Sequence, residues 1–164
     1  MIYLFVSKQV LKELFEGYIE ATSEKSVVEN KTVLLCRLTN SVLNALGTVE
    51  TKAYVTNRML KHLFDSKPAE EFHFIVDHVH KVVKFPDRIY RNKNGKRGCF
   101  CFVKRVKNDE YLCSLEIVNE EKSVDISTNV LGGVYVVTAF RLRKPQYLNS
   151  YELVWSWKGD NPSS

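Results

Sequence analysis

The chain contains no G-x-x-x-x-G-K-S/T, no G-x-G-x-x-G, no G-x-S-x-G and no H-E-x-x-H. Those absences remove the P-loop, dinucleotide-binding, hydrolase-elbow and zincin routes to a function. Its four cysteines, Cys36, Cys99, Cys101 and Cys113, have the spacing of neither a disulfide framework nor a zinc ribbon. They read as small core residues of a reducing cytosol, so the expected location is cytoplasmic. No apolar run approaches the roughly 18 residues of a membrane span. The opening "MIYLFVSK" is too short for a signal peptide and lacks its cleavage pattern. Acidic residues are not grouped as a two-metal nuclease needs, so neither a metal nor another cofactor is expected. Repeats and low-complexity segments are missing, and no Pro/Gly-rich linker divides the 164 residues.

What is present is an uneven charge. The net charge is +5, but Met1 to Asn30 holds three Lys against five Glu. Lys81 to Arg105 holds nine Lys/Arg against the single acid Asp87. Concentrated basic charge predicts an anionic partner. Nucleic acid is the commonest candidate, followed by anionic lipid or an acidic protein. A membrane-surface role fits least, because the cations fall on a loop and strand ends and not on an amphipathic helix.

The apolar pattern predicts an α+β domain. A strand over Ile2 to Val6 leads into a helix from Gln9 to Ala21, with Val10, Leu11, Leu14, Phe15 and Tyr18 on one side. "TVLLCRL" reads as a strand. "TNSVLNALG" reads as a short helix between a Thr39 cap and a Gly47 stop. A boundary near residue 50 separates this N-terminal strand-helix extension (1–50) from a main domain (51–164). From Lys52 the order is strand "KAYVT", helix "NRMLKHLFDS", and a longer helix "AEEFHFIVDHVHKVVKF" entered after Pro68 and ended by Pro86. "NKNG" marks a turn, and "GCFCFVKRV" and "EYLCSLEIV" form a hairpin around "KNDE". "STNVLGG" is a loop, "VYVVTAFRL" a strand, and "YELVWSWK" a last strand or packed tail. The architecture expected is helices packed on one face of a curved antiparallel sheet.

Several residues invite chemistry. On the long helix, His73, Asp77, His80 and Lys84 share a face, and the expectation is a solvated polar stripe. In the shorter helix, Arg58, His62 and Asp65 lie opposite the apolar side. There Arg58 can hold a phosphate while His62, with a pKa near neutrality, moves a proton. Arg88, Arg91, Lys93, Lys96 and Arg97 crowd a turn, with Tyr90, Phe100 and Phe102 interleaved, which suits single-stranded nucleic acid. Alternation along "VYVVTAFRLRKPQY" puts Val134, Val136, Thr138 and Phe140 on one face, and Thr138 is a lone hydroxyl in that row. Arg141 follows, and Tyr147 adds a phenol able to protonate a leaving group.

The order of elements from Ala53 to Tyr147, through the stretches "YVTNRMLKHLF", "FPDRIYRNKNGKRGCFCFVKR", "EYLCSLEIV" and "VYVVTAF", carries a resemblance. The chain resembles the barnase/EndoU/colicin/RelE-like (BECR) nuclease superfamily, in particular its phage-associated branch, PBECR. The resemblance leaves residues 1–50 and the tail without counterpart. It implies a BECR-like fold and a toxin-like or phage-derived, metal-independent endoribonuclease that cleaves RNA through 2′-hydroxyl attack to a cyclic phosphate. By position, His62 would be the general base or acid, Lys104 would stabilise charge at phosphorus, Thr138 would orient the phosphate and Tyr147 would complete the catalytic set. Arg58, Arg88, Arg91, Lys96, Arg97 and Arg141 would bind substrate. The partners implied are RNA, single-stranded or structured, and an acidic neutralising protein. The rival reading is a non-catalytic module on the same fold that grips RNA or a protein.

Overall fold

The structure is a computed structural model that describes residues 2–93, 100–118 and 132–157, the side chains from residue 8 onward. Among the described residues four helices and seven strands follow the chain as α1 (Ile2–Tyr18), β1 (Thr32–Arg37), α2 (Asn40–Leu46), β2 (Lys52–Thr56), α3 (Asn57–Ser66), α4 (Ala69–Lys84), β3 (Arg88–Asn92), β4 (Phe100–Val106), β5 (Asp109–Val118), β6 (Gly133–Arg141) and β7 (Tyr151–Ser156). A 3₁₀ turn, Pro145–Ser150, joins β6 to β7. Among the described residues no helix is long and apolar enough to cross a membrane.

Local chemistry explains the helix boundaries. The Thr39 hydroxyl accepts from the Val42 N–H, and Gly47 closes α2 in the left-handed region at φ 65°. The Thr56 hydroxyl accepts from the Met59 N–H, so β2 turns directly into α3. Pro68 opens α4, with Glu70 and Glu71 in its first turn and Lys81 and Lys84 in its last, as the helix dipole favours. The expected strand over Ile2 to Val6 is corrected: α1 begins at Ile2. Five apolar residues in a row fit a buried strand and a helix start equally, and here the helical period of Leu11, Leu14 and Phe15 extends back through them.

The sheet runs β1-β2-β6-β5-β4-β3-β7. It is mixed and not closed, which corrects the expectation of an all-antiparallel sheet: β2 and β6 are parallel neighbours. The other pairings are antiparallel. "DRIYRN", read as part of a turn, forms strand β3 between β4 and β7. Asn94 and Gly95 of "NKNG", most of "STNVLGG", and Lys96, Arg97 and Cys99 lie outside the described residues. β1 pairs with β2 across the boundary expected near residue 50, and residues from both sides enter one core.

That core fills the space between the sheet and the helices. Leu11 and Phe15 of α1, Val42 of α2, Leu60 and Leu63 of α3, and Phe72, Ile75, Val79 and Val83 of α4 meet Phe102, Leu115, Val134 and Val136 of the strands. The rings of Phe15, Phe64 and Phe72 lie 5.2–5.4 Å apart, in tilted and edge geometry. His80 is corrected from the solvated stripe: it is only 2% exposed. Burial, then the charge of Lys81, lowers its pKa to about 4. The opposite face carries a smaller cluster, Cys101, Val103 and Leu112, covered by Tyr90, Phe140, Leu142, Leu148 and Tyr151.

Candidate functional site

The basic segment does not stand alone in three dimensions. Arg88 binds the Glu110 carboxylate and donates to the Tyr90 hydroxyl at 2.6 Å. Arg91 pairs with Glu152, and Arg141 reaches Asp109 at 3.7 Å. Lys104 approaches Asp87 at 3.5 Å, and the other Asp87 oxygen accepts the Arg105 N–H at 2.8 Å. Arg143 makes hydrogen bonds to both oxygens of buried Glu71, one at 2.9 Å and one at 3.3 Å, while the Arg141 N–H donates to it at 2.9 Å. Burial is the largest single influence and works to raise the Glu71 pKa, but the Arg143 bonds, the Arg141 N–H bond and the charges of Arg143 and Lys67 together outweigh it and hold the carboxyl below its ordinary range.

Arg58 and His62 are brought together. Both line a groove of about 630 Å³ whose other wall is residues 24–28. That wall is tied to α3 by residues one helical turn apart. Asn57 exchanges bonds with Glu29 and Lys31, Lys61 donates to the Ser23 carbonyl at 2.8 Å, and Asp65 accepts the Lys25 N–H at 3.0 Å. Lys61, buried, also pairs with Asp65 at 2.6 Å. Lys104 is not part of this groove. It lines a separate one with Lys84, Phe85, Asp87, Trp155 and Trp157.

Thr138 changes face. In the β5–β6 ladder Ser114 pairs with Thr138 but Leu115 pairs with Val136, so Val137 is the extra residue of a β-bulge. The bulge shifts the alternation by one residue. Val134 and Val136 point into the main core, whereas Thr138 and Phe140 join the opposite face. The expectation that all four share a face is corrected for that reason. On the opposite face, register sets Thr138 beside Ser114, with Cys101 and Tyr90 continuing the row. Glu116, two residues from Ser114, stands on this face opposite Tyr135.

Tyr147 arrives on the same face from the 3₁₀ turn. Its ring packs edge-on against Phe140 at 5.2 Å and stacks on Tyr151 at 5.9 Å. Burial, then hydrogen bonding with Tyr147, pushes the Tyr151 phenol well above its ordinary pKa. Lys67, which follows α3, places its Nζ 5.3 Å from the centre of the Phe140 ring. One face of the sheet therefore gathers Lys67, Ser114, Glu116, Thr138, Phe140 and Tyr147, with Arg88 and Tyr90 at the far end of the rows.

The chain matches no protein family, no curated protein and no solved structure. Geometry alone speaks for the site. Of the residues expected to act together, Thr138, Tyr147 and Arg88 share a face, Arg58 and His62 share a groove, and Lys104 lies in another. Arg91 and Arg141 are held in ion pairs on strands. Among the described residues no three His, Cys, Asp or Glu side chains come together as metal ligands do. Lys67, Ser114 and Glu116 escape a sequence reading. "CSLE" does carry a signal, since two polar residues alternate with apolar ones in a strand, but only the bulge reveals that Thr138 faces them.

Proposed function

We propose that this chain cleaves RNA at the sheet face that carries Lys67, Thr138 and Tyr147. The Val137 bulge carries the reading, because it turns the Thr138 hydroxyl towards the face where Ser114, Glu116, Phe140 and Tyr147 stand. A phosphodiester beside a 2′-hydroxyl needs a base, an acid and groups for the phosphoryl oxygens, and this face supplies each type. Glu116 takes the 2′-hydroxyl proton and the freed oxygen attacks phosphorus. The bond to the 5′-oxygen breaks as Tyr147 protonates that oxygen, leaving a 2′,3′-cyclic phosphate. Lys67, Thr138 and Ser114 hold the non-bridging oxygens. The resemblance to the BECR nucleases supports the same chemistry, with proton transfer moved from His62 to Glu116 and Tyr147, and phosphate binding from Lys104 to Lys67.

The test is end-labelled RNA incubated in EDTA with the wild-type chain, Glu116→Gln, Tyr147→Phe, Thr138→Val and His62→Ala. Loss of a proton-transfer group is expected to slow cleavage by roughly 10²–10⁴-fold in the first two variants. His62→Ala is expected to cleave as the wild type does. Loss of cleavage in His62→Ala alone would move the reaction to the α3 groove. Intact RNA with every protein, together with a salt-sensitive shift on a native gel, would leave a binding module in place of an enzyme.

A further inference from the structure

We propose that the groove between the C-terminal end of α4 and the ends of β4 and β7 holds single-stranded nucleic acid, with bases stacked on Phe85 and Trp157 and phosphates on Lys84 and Lys104. It is a second contact, apart from the reaction face. Phe85 is 48% exposed and Trp157 62%, a large share for aromatic side chains. Both line one groove of about 520 Å³, whose lining also includes half-buried Trp155 of β7. Their positions are fixed by backbone. Phe85 closes α4, its N–H donating to the Lys81 carbonyl at 2.9 Å, and the Trp157 N–H donates to the Asp87 carbonyl at 3.1 Å.

Charge selects the occupant. Among the described residues the groove's own charged lining is Lys84 and Lys104 against a single acid, Asp87. That acid, Asp87, lines the groove but spends one oxygen on the Arg105 N–H and the other on Lys104. The formal charge of the lining is therefore positive. An acidic peptide has charge but few rings, and a lipid surface would need these aromatics on a convex face. Bases with open faces and a charged backbone match both features, and a duplex, whose bases are already stacked, does not. The choice of nucleic acid over other anions rests on the RNA reading above; binding in the groove does not require cleavage.

The chain has two tryptophans, Trp155 and Trp157, and both line this groove, so intrinsic fluorescence reports on it directly. The full chain is titrated with short oligo(dT), which lacks the 2′-hydroxyl and is not consumed, and with a duplex of equal length. Saturable quenching by oligo(dT), weakened by salt and much weaker with duplex, is the expected result. Phe85→Ala and Trp155→Phe, each keeping Trp157 as reporter, separate the rings: Phe85→Ala is expected to lose about 5- to 100-fold in affinity, and Trp155→Phe little. Trp157→Ala, followed by a native-gel shift, is expected to lose a similar factor to Phe85→Ala. Lys104→Gln is expected to lower the salt slope by about 0.7. No quenching, equal quenching by duplex, quenching by polyglutamate but not oligo(dT), or unchanged affinity in both ring variants would overturn the proposal. Cleavage of RNA without quenching overturns the groove and keeps the reaction face. Quenching without cleavage does the reverse.

Discussion

The two faces of the sheet are made from alternate residues of the same strands, yet they do different work. On the helix face, Phe102, Cys113, Leu115 and Val134 are at most 1% exposed and meet apolar side chains from all four helices. On the other face three residues are fully buried, and their cover is tyrosines, leucines and a phenylalanine from the strands and the 3₁₀ turn. Hydroxyls and the Glu116 carboxylate interrupt that second face, whereas on the first the buried polar residues of α4 are Glu71, tied to β6 and Arg143, and His80. If the proposed site is right, the pleat separates stability from reactivity. A side chain that leaves one face by a single step along the strand moves from the store of stability to the candidate site, as Thr138 does through the bulge.

The sharpest way to break that comparison is to cut into the helix face. Phe72, fully buried between the Phe15 and Phe64 rings, is expected to cost about 3–5 kcal/mol when changed to Ala, measured by urea denaturation. A cost near that of a surface change would show that the two faces do not differ in this way. Next comes acid. His80 has a folded pKa of about 4 against 6.5 when exposed, so the unfolded chain binds the extra proton between those values. Its contribution is intact above pH 6.5 and is lost as pH falls towards 4, on the order of 3 kcal/mol. Neither His78 nor His80 has a partner for its Nδ1 among the described residues, so nothing rewards the neutral ring with a bond at that atom. His80→Leu should flatten this part of the pH–stability curve; an unchanged slope would place the loss elsewhere. The smallest effect belongs to the other face. Thr138→Val is expected to change stability by less than about 1 kcal/mol, even where it reduces cleavage. A larger loss would make Thr138 a structural residue.

The legible parts of the fold are those written in local chemistry. β2 and α3 fall on "KAYVT" and "NRMLKHLFDS" because Thr56 caps the helix directly after the strand. α2 follows its Thr39 and Gly47 punctuation. What could not be read was set by partners distant in sequence. β3 is only five residues long and rich in charge, and it becomes a strand because β4 and β7 pair with it on both sides. The cations of the basic segment look unopposed until Glu110 and Glu152 fold back onto Arg88 and Arg91. His80 falls in a polar-looking row, yet it is buried in the packed helix. In the candidate site the residue types of Thr138 and Tyr147 were visible, but the bulge that aims Thr138 and the reach of Lys67 over Phe140 were not.

The parallel pairing of β2 with β6 has a consequence for how the chain assembles. β6 is the strand that links the β1–β2 pair to the run of strands from β5 to β7. Ala53 must find Val134, and Tyr54 must find Tyr135, across a loop whose described residues hold two helices and three strands. Closing so long a loop is costly in entropy, and contacts of that separation slow folding. On the ribosome, at roughly 5–20 residues per second, the first two strands wait several seconds for their partner. Until β6 emerges, Ala53 and Tyr54 of β2 have one strand neighbour where the finished sheet gives them two, and a chain stopped before Gly133 holds two half-sheets with no β6 to join them.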